Sequence, residues 1–105
     1  MTDTDSEESS RVFDALVIPP TALERGGFEV LRAAIVEGDL HVSLRRAFDD
    51  PDAWGMLIAD VARHVARIYA KETALTEEAV LERVRAIFLA EMEAPTDLGS
   101  TNAIS

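Results

Sequence analysis

Few residues of this chain stand at spacings that chemistry could use. Asp60 and His64 lie four apart in a helical pattern, which sets a carboxylate beside an imidazole and could orient a general base. No nucleophile in a recognisable setting accompanies them: G-x-S-x-G does not occur, and Ser43 falls inside a strand pattern. The pair therefore reads as structural, and no catalytic residue is assigned. Asp49, Asp50 and Asp52 could open a divalent-cation loop, yet the sixth and twelfth positions hold Trp54 and Asp60 where such a loop needs Gly and Glu. Helix capping accounts for all three acids. Two histidines without cysteine and without H-E-x-x-H leave no zinc site, and no metal or cofactor is expected. Gly26-Gly27 lacks both phosphate-loop patterns and reads as the end of a turn.

What remains is a group of cations: Arg32 and Arg45, with His41 nearby. Their relation depends on a β-hairpin. Glu29 to Val36, then Gly38-Asp39, then Leu40 to Phe48 form two apolar-alternating runs around a turn. A two-residue Gly38-Asp39 loop of type II′ sets Ile35 against Val42, Ala33 against Leu44 and Leu31 against Arg46, which gathers the apolar side chains on one face. The opposite face then opposes Val36 to His41, Ala34 to Ser43 and Arg32 to Arg45. Two directly opposed arginines destabilise unless an anion lies between them. Arg32, Arg45 and His41 are thus the candidate anion-binding or interface residues.

The elements around the hairpin follow from local signals. Val12 to Ile18 is rich in β-formers, ends at Pro19-Pro20 and predicts a third strand. Pro20 to Arg25 allows one helical turn. Asp50 as N-cap, Pro51 at the first helical position and Asp52 at the positive dipole end open a helix over residues 50–72. Its stripe is Trp54, Leu57, Ile58, Val61, Val65 and Ile68. Thr76 caps a second helix over 76–93, with Glu77 and Glu78 in its first turn and Pro95 beyond its end. The short connection makes the helices antiparallel neighbours. Arg63, Arg67 and Lys71 face Glu77, Glu78 and Glu82 across that pair, an intramolecular complement rather than a ligand site.

The fold class is therefore α+β: a small antiparallel sheet, hairpin 29–48 with a third strand from 12–18, packed on two antiparallel amphipathic helices. One domain spans 12–94, between an acidic disordered tail at 1–11 and a disordered C-terminal tail at 95–105. The formal net charge of −10 disfavours nucleic acid as a partner. Zero cysteines, no signal-peptide pattern and no membrane-length apolar run point to a soluble protein of a reducing cytoplasm.

Leu16-Val17-Ile18-Pro19-Pro20, Val42 through Pro51, Trp54-Gly55-Met56-Leu57 and Ala66-Arg67-Ile68-Tyr69 resemble a family of small uncharacterised α-proteobacterial proteins, a domain of unknown function of about 100 residues. The resemblance covers most of 15–70. It implies a bacterial cytoplasmic protein and carries no activity or site residue with it.

The function expected from these features is a non-enzymatic protein-interaction module, a homodimer joined through the outer sheet face (Val30, Ala34 and Val36 beside Arg32 and Arg45) or the sheet edge, with another protein as a further possible partner. The competing expectation is a small enzyme or ligand-binding protein that holds an anionic metabolite through Arg32 and Arg45. A recessed pocket with both arginines pointing in would favour the ligand, a flat apolar surface the interface.

Overall fold

The computed structural model describes residues 12–96 and 100–103. Pro20 enters helix α1, Pro20–Arg25, at the position where its missing N–H costs nothing. Gly26, at φ 79°, closes that turn by donating its N–H to the Ala22 carbonyl at 2.9 Å. Strands β1, Leu31–Val36, and β2, Asp39–Leu44, follow as an antiparallel hairpin.

The turn of that hairpin is Glu37-Gly38, with φ 52° and 87°, and not Gly38-Asp39. Two left-handed positions in succession make a type I′ geometry, whose twist matches that of the strands. Asp39 consequently stays in β2, and the pairs become Ile35 with Leu40, Ala33 with Val42 and Leu31 with Leu44. The slip from the expected register is two residues. Because side chains alternate with period two, every residue keeps its expected face while changing its partner. Arg32 now opposes Ser43, and Ala34 opposes His41. Arg45 continues the ladder opposite Val30, donating to its carbonyl at 3.2 Å.

The third strand is not formed by residues 12–18, which run without regular structure up to the Pro19-Pro20 step. It is β3, Ser100–Ala103, from the segment expected to be a disordered tail, and it lies parallel to β2 in the order β1-β2-β3. The sheet is therefore mixed rather than purely antiparallel. The free edge of β2 is occupied by β3, and Pro19-Pro20 ends the 12–18 segment and leads into α1.

Helix α2, Asp52–Glu72, begins two residues after the expected start at 50, with Pro51 in the N-cap position. The Asp50 carboxylate accepts the Asp52 N–H at 2.9 Å, so it satisfies one of the orphan donors of the first turn. At the other end the Thr73 hydroxyl donates to the Tyr69 carbonyl (2.7 Å) and accepts from the Leu75 N–H (3.1 Å). Helix α3, Glu77–Glu93, is capped by the Thr76 hydroxyl, which accepts the Ala79 N–H at 3.1 Å. Beyond its end, the Glu91 carboxylate accepts from both the N–H and the hydroxyl of Thr96.

The two layers do not meet. Among the described residues, β1 touches β2, β2 touches β3 and α2 touches α3, while no strand touches a long helix. The expected sheet packed on its own helices is not what the chain forms. Ala66 of α2 and Val80 of α3 are the buried apolar side chains, one on each member of the helical hairpin. Elsewhere large apolar side chains stay open: Ile35 is 70% exposed, Ile87 66% and Met92 71%. The segment between the layers explains the separation. The Ala47 N–H closes a tight turn on the Arg45 carbonyl at 2.8 Å, Phe48 stacks edge-on to Trp54 at 5.5 Å, and Asp50 caps α2. These local contacts set the direction in which α2 leaves the sheet.

Candidate functional site

The face of the hairpin that carries Arg32 and Arg45 is built on residues from both strands and from the segment before β1. Glu29 lies three residues ahead of Arg32, and its Oε1 accepts from the Arg32 guanidinium at 2.9 Å in an exposed ion pair. The Arg32 guanidinium carbon also stands 5.5 Å from the Phe13 ring centre, and that of Arg45 stands 5.2 Å from Phe28. Each cation thus lies over an aromatic face, where the ring quadrupole attracts it. Arg32 faces Ser43 and Arg45 faces Val30, so the arginines are diagonal neighbours and not opposed. The charge conflict expected between them does not arise in the observed register, and Glu29 already balances one of the pair.

Arg32 and Arg45 do line one hollow, of about 150 Å³, together with Glu29, Val30, Leu31, Ser43 and Leu44. It is smaller than the roughly 300–1,000 Å³ usual for ligand pockets. His41 is not among its lining residues; it sits one pair nearer the turn, opposite Ala34 and beside Ser100 in the strand register. The structure therefore brings two of the three expected site residues together. Glu29, Phe13 and Phe28 were missed. Only the adjacency of Phe28-Glu29 to the hairpin hinted at those two, and nothing in the spacing placed Phe13.

The other face of the hairpin is apolar throughout: Leu31, Ala33 and Ile35 on β1 and Leu40, Val42 and Leu44 on β2. Alternation along the strands made these six residues legible as a core. Leu40 nevertheless remains 45% exposed beside the open Ile35, because neither described long helix contacts the strands. A larger groove, about 1,350 Å³ of open space, separates the segment from Val12 to Glu29 from strand β1. Leu16, Val17, Ile18 and Phe28 are among its lining residues and are largely exposed.

The remaining clusters carry less. Asp60 and His64 are both exposed, and no hydrogen bond or ion pair joins them. Among the described residues, no group of three or more His, Cys, Asp or Glu could hold a metal ion. Arg63, Arg67 and Lys71 form no ion pair with Glu77, Glu78 or Glu82 there. No described helix is long and apolar enough to cross a membrane.

Comparison with known proteins places these features in a family. The model of a domain of unknown function, DUF5076, matches residues 15–96, in agreement with the resemblance seen in the sequence to a small uncharacterised domain family. No curated protein matches the chain. A solved structure from the photosynthetic bacterium Rhodopseudomonas palustrus CGA009, provisionally named a pyruvate dehydrogenase, is 41% identical to it. That similarity covers 90% of this chain and 98% of the other, with a TM-score of 0.71.

Proposed function

The chain belongs to the DUF5076 family, and from that premise we propose that it is a non-enzymatic interaction module that self-associates through its small sheet. The observation that carries this reading is the six-residue apolar face of the hairpin, opposite to the face that carries the arginines, which neither described long helix contacts and on which Ile35 and Leu40 stay open. Burying a side chain of the Val, Leu, Ile or Phe type contributes about 1.5–3 kcal/mol. A face of this composition left in water forgoes most of that gain, and a three-stranded sheet without a packed face is marginal alone. A second copy is the simplest source of cover, since twofold contacts bury the same face on both chains. The edge of β1 offers a further row of unpaired backbone groups for the same purpose. With no cysteine to protect, the reducing cytoplasm remains the compartment we assign, and the net charge of −10 argues against nucleic acid as the partner. Light scattering coupled to size exclusion tests the reading. The expected mass is twice the 11.5 kDa of one chain, and a monomer at high micromolar concentration removes the proposal.

A second reading is favoured by one observation, the hollow shared by Arg32 and Arg45. Two guanidinium groups beside it could hold a small carboxylate, and pyruvate, named for the Rhodopseudomonas protein, is an anion of that size. The hollow is small and Glu29 already neutralises Arg32, so this reading ranks second. Titration of the chain with pyruvate, followed through the arginine side-chain NMR signals, separates the readings. Saturable shifts at Arg32 and Arg45 would support the site, and unchanged spectra at millimolar pyruvate would exclude it.

A further inference from the structure

We infer that the surface covering the apolar sheet face is the α2–α3 hairpin of a second copy, exchanged reciprocally about a twofold axis. This deepens the self-association reading and rests on it. Apart from the groove before β1, the described residues leave two further apolar faces open. Besides the sheet face, α2 presents Ile58, Val61 and Ile68, spaced three and seven residues apart and about half exposed. On α3 the neighbouring side chains Ile87 and Phe88 are also open.

The two faces match in kind and in length. Residues 54 to 68 of α2 span about 21 Å at 1.5 Å per residue, and a six-residue strand spans about 20 Å. The contacts that would let one chain close on itself are already directed elsewhere. The Arg45–Ala47 turn, the Phe48–Trp54 stack and the Asp50 cap aim α2 away from its own sheet. At its other end, the helical hairpin is tied back to the same sheet through β3. It is therefore an arm, anchored at its base, with apolar side chains left open among the described residues.

Complementarity of the two faces favours a second copy over an unrelated partner. Large side chains stay open on both: Ile35 is 70% and Leu40 45% exposed on the sheet face, and Ile58, Val61 and Ile68 are about half exposed on the arm. A foreign partner matching one face would leave the other in water. A second copy supplies both complements at once, and the exchange closes without exposing a new face that could propagate into a filament.

The test uses the full chain with isoleucine, leucine and valine methyl groups carbon-13 labelled, mixed with an equal amount of unlabelled chain, unfolded and refolded together. Isotope-filtered NOE spectra then report contacts between subunits alone. The expected result is intersubunit NOEs from Leu31, Ile35 and Leu40 to Ile58, Val61 and Ile68. A dimer whose sheet-to-helix NOEs vanish in the filtered spectrum, or whose sheet faces contact each other, overturns the exchange and leaves self-association standing. A monomer overturns both.

Discussion

Replacing Ile35 by Thr probes the apolar face with little disturbance to the hairpin that presents it. Both residues are β-branched and suit a strand, so the intrinsic preference of β1 is retained. Within a single chain Ile35 is 70% exposed, and the change should alter the stability of an isolated chain by less than about 0.5 kcal/mol. In a twofold dimer the same side chain is buried twice. Losing roughly two carbons of apolar area and burying a hydroxyl costs about 1.5–2 kcal/mol at each copy. The sum, about 3–4 kcal/mol, corresponds to a dissociation constant weakened roughly 100- to 1,000-fold. Sedimentation equilibrium over a dilution series measures that constant directly. Melting at several concentrations provides a second readout, since a dimer's melting temperature rises with concentration and the variant's should lie lower at each. Val36, on the opposite face and 47% exposed, gives the control, because Val36→Thr should leave association unchanged. A dissociation constant for Ile35→Thr within threefold of the parent would refute the reasoning and leave the face in water.

Three further outcomes rest on local geometry. Glu37 occupies a left-handed position at φ 52°, and Glu37→Asn should stabilise the hairpin by about 1 kcal/mol in urea titration, since Asn-Gly is the favoured pair for this turn; no gain would mean that the turn is not type I′ in solution. Thr76→Ala removes the hydroxyl that accepts the Ala79 N–H and should cost about 1 kcal/mol by the same method, while Thr76→Ser should restore most of it. Arg45→Glu takes a cation from the face of Phe28 and brings a second carboxylate towards Glu29, so it should lose about 0.5–1 kcal/mol; a gain in stability would mean that the two arginines repel each other after all.

Legibility differed from one part of the chain to another for identifiable reasons. The helices were readable because their signals are local: Asp50 and Thr76 lie beside the N–H groups they satisfy, and the apolar stripes repeat within a turn or two. The faces of the hairpin were readable too, since alternation assigns a side to each residue whatever its partner. Its register was not, because the choice between Glu37-Gly38 and Gly38-Asp39 turned on whether a glutamate would accept a positive φ. That two-residue slip redrew the candidate site: Arg32 and Arg45 became diagonal neighbours, and Glu29, Phe13 and Phe28 became their contacts.

By itself, then, the sequence determined the class of the fold, the two long helices with their caps, the two-faced hairpin and the membership of a domain family. Each depends on residues within a few positions of one another or on a pattern along one element. Only the tertiary structure decided that Ser100–Ala103 rather than residues 12–18 completes the sheet, that the arginines share a hollow, and that sheet and helices stand apart. Those outcomes depend on which distant segment reaches an open edge and on the angle at which α2 leaves Pro51. Apolar periodicity states that a face needs cover, and it is silent about which chain provides it.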